Sequence, residues 1–271
     1  MSQVSDWRAS ETVSPPMVPC ALTRGLLLAE LCLVLALSLG RSGVFAVVDL
    51  VASATAPGRL ADQVAVLNAS RAPGRPWLDL VLQLLAIGFG LTPVFLVVYL
   101  LARSGQGLRT IGVDATQPAR DVAHGAALAA AVGGAGLAFY VVTHALGVDL
   151  TVVASDLPAV WWRIPVLVLS ALQNALLEEF VVVGYLLSRL RQLGCGPRTA
   201  IVASALLRGS YHLYQGLGGF AGNGVMGLVF GGVYRRWGRL WPLVVAHTLM
   251  DLVAFVGYAL LAGHVGWLPA A

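Results

Sequence analysis

Residues 174–185 read NALLEEFVVVGY. Glu178 and Glu179 stand side by side in a stretch that is apolar in both directions. An ionised side chain at the middle of a membrane helix costs about 2.5–3.5 kcal/mol on insertion scales, and such residues are usually paired or functional. Two questions follow: whether this stretch lies in a membrane, and what offsets its two carboxylates.

The surrounding sequence answers the first. The chain has 271 residues, 58% of them hydrophobic and 11% charged, whereas soluble domains carry about a quarter charged residues. Its mean hydropathy is +0.81. Apolar runs long enough to cross a bilayer recur at 77–102, 121–146, 164–188, 199–214, 220–234 and 240–261. The region 25–56 reads as one span plus an extension, with two short segments broken at Leu39-Gly40-Arg41-Ser42-Gly43 as the alternative. The expected fold is all-α, a polytopic transmembrane helical bundle. Residues 1–23 form a polar tail without the basic start, apolar stretch and cleavage site of a signal peptide, so the first apolar segment is expected to be a retained anchor.

All 17 basic residues are arginines. They gather between spans as Arg103, Arg109 and Arg120, then Arg189, Arg191 and Arg198, then Arg235, Arg236 and Arg239. Loops poor in positive charge alternate with them, so the arginine-bearing loops are expected to be cytoplasmic. The 57–76 loop, with Arg59, Arg71 and Arg75, falls on the outer side and fits this least well. The net charge of +4 therefore reports topology and not nucleic-acid binding, and the expected location is the bacterial cytoplasmic membrane. Cys20, Cys32 and Cys195 show no metal-ligand spacing. The stretch GLGGFAGNG (216–224) follows no strand, which excludes a phosphate loop, and is expected to be a flexible turn with close helix approach.

Three places in the C-terminal half put ionisable groups inside apolar runs: Glu178 with Glu179, Arg208 with His212, and His247 with Asp251. The last two pairs are spaced by four residues, so each pair shares a helix face. Adjacent glutamates diverge by about 100° on an α-helix; one is expected to line a site while the other reaches a neighbouring helix. A carboxylate, two imidazoles and an aspartate from three helices are the ingredients of a water-activating hydrolytic centre. His124, His144 and His264 lie outside these groups, and Glu30 and Asp49 are acids in the first apolar region for which the sequence proposes no partner.

The order EE…H…HxxxD within apolar spans resembles the CPBP family of intramembrane proteases, which includes the type II CAAX prenyl endopeptidases and Abi-type proteins. The resemblance runs over about 165–255 and includes the linking text GLGGFAGNGVMGLVFGGVYRRWGRLWPLVVAH. It implies seven or eight spans, a catalytic membrane core over 121–265 preceded by further spans over 24–120, and a water-filled cavity. It also implies peptide-bond hydrolysis, with Glu178 as general base, His212 holding the water, and His247 with Asp251 stabilising the oxyanion or orienting the water.

Two positions depart from the family pattern. Val183 stands where the EExxxR motif has arginine, and Arg208 where the FxxxH motif has phenylalanine. Arg208 is expected to replace the missing cation as partner of Glu179, leaving Glu178 for the site. Where relatives carry asparagine at the end of the third motif, its amide can donate; an ionised Asp251 cannot. Asp251 is then either protonated, or orients a histidine, or ligates a cation. Glu178, His212, His247 and Asp251 suit a mixed N/O zinc site, and a metal-free glutamate mechanism is equally consistent with them. The expected partner is a membrane-associated or lipidated peptide. The alternatives are a non-catalytic membrane scaffold or bacteriocin-immunity protein that binds a peptide, and a proton-coupled transporter.

Overall fold

Two helices, not one, occupy the first apolar region. In a computed structural model, which describes residues 22–264, α1 (Arg24–Ala36) and α2 (Leu39–Thr55) meet at a bend of 53°. Cys20 and most of the expected N-terminal tail lie outside the described residues. Thr23 caps α1 by accepting the Leu26 amide on its hydroxyl oxygen. At the break, Ser38 donates its hydroxyl to the Val34 carbonyl at 2.6 Å, meeting its hydrogen-bonding need locally where a bilayer supplies no water. Only as a bent pair do these helices have the length and apolarity of a span.

Helices α3 (Pro76–Gly90) and α4 (Thr92–Arg103) run on as one 28-residue span, followed by α5 (Pro118–Ala145). Helix α6 (Arg163–Glu178) continues through a π-helical segment (Glu179–Tyr185) into α7 (Leu186–Gln192), making a 30-residue span. Then come α8 (Pro197–Ser210), α9 (Leu217–Trp237) and α10 (Trp241–Leu261). Proline opens α3, α4, α5, α8 and α10, where its missing N–H leaves no intrahelical bond unmade. Among the described residues five helices are long and apolar enough to cross a membrane, six with the bent pair. That is fewer than the seven or eight implied by the resemblance, because α8 stops after 14 residues.

The arginine-rich loops share one end of the bundle. There Arg239 binds Asp121 at 2.6 Å and Asp114 at 3.1 Å, tying the loop before α5 to the α9–α10 turn. At the other end β1 (Val64–Asn68) pairs in parallel with β2 (Thr151–Ser155), in register from Val64↔Thr151 to Asn68↔Ser155. This ladder places the 57–76 loop beside the loop that follows α5, despite its three arginines. Asp156 accepts the Ser70 amide, and Asp79 accepts the Ser70 hydroxyl and Arg71 amide, fastening the loop to the top of α3.

Close helix approach fixes the half that holds the polar groups. A Cβ on Gly227 would lie 2.8 Å from Ala205 Cα, and one on Gly231 would lie 2.9 Å from the Ile201 side chain, so α9 and α8 meet through small residues. The glycine-rich stretch is mostly not the flexible turn expected: from Leu217 onward it is the first turns of α9. Asp149 accepts the amides of Gly218 and Gly219 at 2.7 and 3.2 Å, satisfying that helix start. A side chain at Gly218 would collide with this carboxylate. Val181, Val182 and Val183 of the π-helical segment are buried among Phe230, Leu243 and their neighbours.

Candidate active site

The π-helical segment begins at the glutamate pair. Its i→i+5 bonding widens the backbone, a distortion found frequently at functional sites. The Val182 carbonyl in it accepts the Ser204 hydroxyl of α8 at 2.8 Å. The expected divergence of the two glutamates does not hold here. Both carboxylates converge on one guanidinium: Arg208 Nη1 lies 3.2 Å from Glu178 Oε2, and Nη2 lies 2.7 Å from Glu179 Oε1. The guanidinium also lies over the Phe230 ring, 5.5 Å from its centroid. Arg208 therefore partners Glu179 and Glu178 together, so Glu178 is not left free of it. Position 183 carries no cation: the Val183 side chain packs in the apolar core.

The glutamates also reach the other two groups of polar residues. Tyr211 donates its hydroxyl to Glu178 Oε2 at 2.7 Å, and His247 Nδ1 lies 2.8 Å from Glu179 Oε1. A carboxylate only accepts, so Nδ1 carries the imidazole proton in that bond. His247 Nε2 faces Asp251 Oδ1 at 3.8 Å, one turn along α10, and Asn174 Nδ2 approaches Asp251 Oδ2 from α6 at 3.5 Å.

His212 does not extend the helix that carries Arg208. Helix α8 ends at Ser210, and His212 sits beyond it with Nδ1 2.9 Å from the Arg208 carbonyl. The carbonyl accepts, which again puts the proton on Nδ1 and leaves Nε2 as an acceptor. Tyr211 and Tyr214 flank the ring at centroid distances of 4.8 and 6.4 Å.

The cluster has a sealed side and an open side. The side chains of Arg208 and Glu179 are 0% exposed, whereas Glu178 keeps 11% and Asp251 19%. His212 and Asn174 are half-buried on the open side with them. The zinc set does not assemble in this geometry. Among the described residues no three of His, Cys, Asp and Glu are placed to share an ion. Glu178 already faces a guanidinium, and His247 and His212 each turn Nδ1 to another partner.

Two members of the cluster were not singled out from sequence. Asn174 lies four residues before Glu178 on α6, the spacing that places two residues on one face, and Tyr211 lies three after Arg208. A second buried polar centre was missed as well. Arg189, read as a loop arginine, is 0% exposed and binds Glu30 at 2.8 Å. It also donates to Ser104, Gln106, Gln192 and the Leu100 carbonyl, while Tyr185 donates to Glu30 at 2.9 Å. Glu30 thus has its partner, and Asp49 is exposed on α2. His124 stacks on Trp237 and His144 bonds Thr151, both outside the cluster.

The family model described as type II CAAX prenyl endopeptidase Rce1-like matches residues 160–253. That stretch contains Asn174, both glutamates, Arg208, Tyr211, both histidines and Asp251. Searches of curated proteins and of solved structures found no match. The match supports a CAAX-type protease in an integral membrane protein. Over residues 160–253 the chain is similar to the type II CAAX prenyl endopeptidase Rce1-like family.

Proposed function

We propose that the protein is an intramembrane endopeptidase that hydrolyses a peptide bond with water activated by Glu178. The observation that carries this reading is the division of labour between the adjacent carboxylates: Glu179 is sealed between Arg208 and His247, and Glu178 opens to the accessible side.

Glu178 takes the proton of the attacking water. Arg208 and Tyr211 hold its Oε2, orienting the carboxylate. His212, with its proton committed to the Arg208 carbonyl, presents Nε2 to accept a hydrogen from the same water. Glu179 fixes the His247 ring through Nδ1, so Nε2 points toward Asp251 and the open side. The tetrahedral oxyanion needs a donor, and an ionised Asp251 cannot be one. Asn174, beside Asp251, supplies an amide N–H instead. Collapse of the intermediate breaks the C–N bond, and the proton held by Glu178 passes to the leaving amine. The substrate is a membrane-associated or lipidated peptide, and the cluster lies near the middle of the 30-residue span that must accommodate it.

Purified full-length protein in nanodiscs, offered a lipidated peptide library, tests this reading. Wild type cleaves, and Glu178→Gln, compared as folded protein, slows cleavage by about 10²–10⁴-fold. Equal cleavage by both proteins removes Glu178 as the base. Peptide binding by wild type without any cleavage points to the non-catalytic peptide-binding reading.

A further inference from the structure

A cleft of about 180 Å³ opens where three spans end, at the start of α5, the end of α9 and the start of α10. Gln117, Arg120, His124, Arg236, Trp237 and Arg239 line it. Pro118 begins a 28-residue span, Trp237 ends a 21-residue span and Trp241 begins another. The cleft therefore sits at the level where hydrocarbon gives way to headgroups. Trp237 suits that level, since an indole has an apolar body and a polar N–H; it stacks on His124 with centroids 4.6 Å apart.

The three guanidiniums are not equivalent. Arg239 is clamped by Asp121 and Asp114, whose two carboxylates more than offset its charge and fix its position. Arg120 and Arg236 are exposed, and among the described residues neither forms an ion pair; Arg120 gives one N–H to Gln117 at 3.1 Å. Two uncompensated guanidinium forks thus face one concavity from different helices, at the arginine-rich end of the bundle. A fork of N–H donors matches the oxygens of a phosphate.

We propose that this cleft binds the phosphate of an anionic phospholipid from the leaflet at the arginine-rich end. Its depth favours a lipid headgroup over a soluble phosphate, because the site lies at the ends of the spans and not on a loop reaching into solvent. Basic pockets between helices at a membrane boundary recognise lipid headgroups in this way. The proposal is independent of the proteolytic reading, and its test reads binding alone.

The test measures binding of phosphatidylglycerol and phosphatidylcholine to the full chain in neutral detergent micelles by native mass spectrometry. Wild type prefers phosphatidylglycerol. Arg120→Gln with Arg236→Gln weakens that lipid about thirtyfold and leaves phosphatidylcholine unchanged. Arg236→Gln alone, a change at an exposed side chain, weakens it about fivefold and serves if the double variant does not fold. Arg191→Gln with Arg198→Gln removes the same charge from exposed positions elsewhere and leaves binding unchanged. Equal weakening by the two double variants would overturn the site in favour of net charge. Inorganic phosphate displacing the lipid at equal affinity would overturn the lipid as its occupant.

Discussion

Glu179 Oε1 lies 2.7 Å from Arg208 Nη2 and 2.8 Å from His247 Nδ1, so one carboxylate oxygen joins α8 and α10 to the π-helical segment. Removing the guanidinium leaves two carboxylates buried without their cation. Arg208→Met is expected to destabilise the protein by about 3–5 kcal/mol. Arg208→Lys keeps the charge but loses the fork that reaches both glutamates, and falls between wild type and Arg208→Met. Thermal unfolding in detergent gives this order; a Met variant as stable as wild type would refute the role.

The Glu30–Arg189 pair predicts a stability effect separable from catalysis. Arg189→Met and Glu30→Gln each lower the melting temperature, because α1 is held to α7 through this pair. A double-mutant cycle gives a coupling of about 0.5–3 kcal/mol, while kcat for the folded fraction stays near wild type. Additive effects would mean that the two side chains do not stabilise one another.

Apolar runs located the spans because membrane crossing imprints length and composition on contiguous residues. The run at 164–188 became Arg163–Gln192, and the one at 121–146 became α5. The glutamates, histidines and Asp251 stood out for the same reason, as polar groups where apolar ones were required. Arg189 did not, since an arginine near a span end looks the same whether it faces water or the core, and its partner Glu30 is 159 residues away. The β1–β2 ladder joins loops separated by two helical spans, and VAVLN and TVVAS carry no local sign of each other. Convergence of the two glutamates was illegible because regular α-helical geometry separates them, and apolar residues such as Phe180 to Val183 do not announce a π-helical turn.

The Asp114–Arg239 clamp sets a pH dependence. Hydrogen bonds from Thr116 and then Arg239 hold the Asp114 carboxyl well below its usual value of 3.8. With the folded value depressed, the stabilisation is fully present above the unfolded value and is lost as pH falls through the folded one. The stability gap between wild type and Asp114→Asn should therefore be constant from pH 8 to about pH 5 and narrow only in more acid solution. A gap that changes between pH 8 and pH 6, followed by thermal unfolding, would contradict the clamp.

The cation at the glutamates being a guanidinium, cleavage is expected to survive chelation. Protein treated with a strong chelator and dialysed should keep most of its rate on a lipidated peptide, with metal content measured on the same sample. Loss of activity that returns only with added zinc would show that the donors rearrange around an ion.

The π-helical segment has one further consequence. A single helix carries both buried ionic centres, with the glutamate pair at one end of the segment and Arg189 just past the other. The wide turns between them set the azimuth of α7 relative to α6. One residue inserted or deleted there would swing everything beyond it by about 100°, and Arg189 would no longer point at Glu30 while the glutamates still faced Arg208. The segment acts as a phase spacer, and its length is under tighter constraint than its composition.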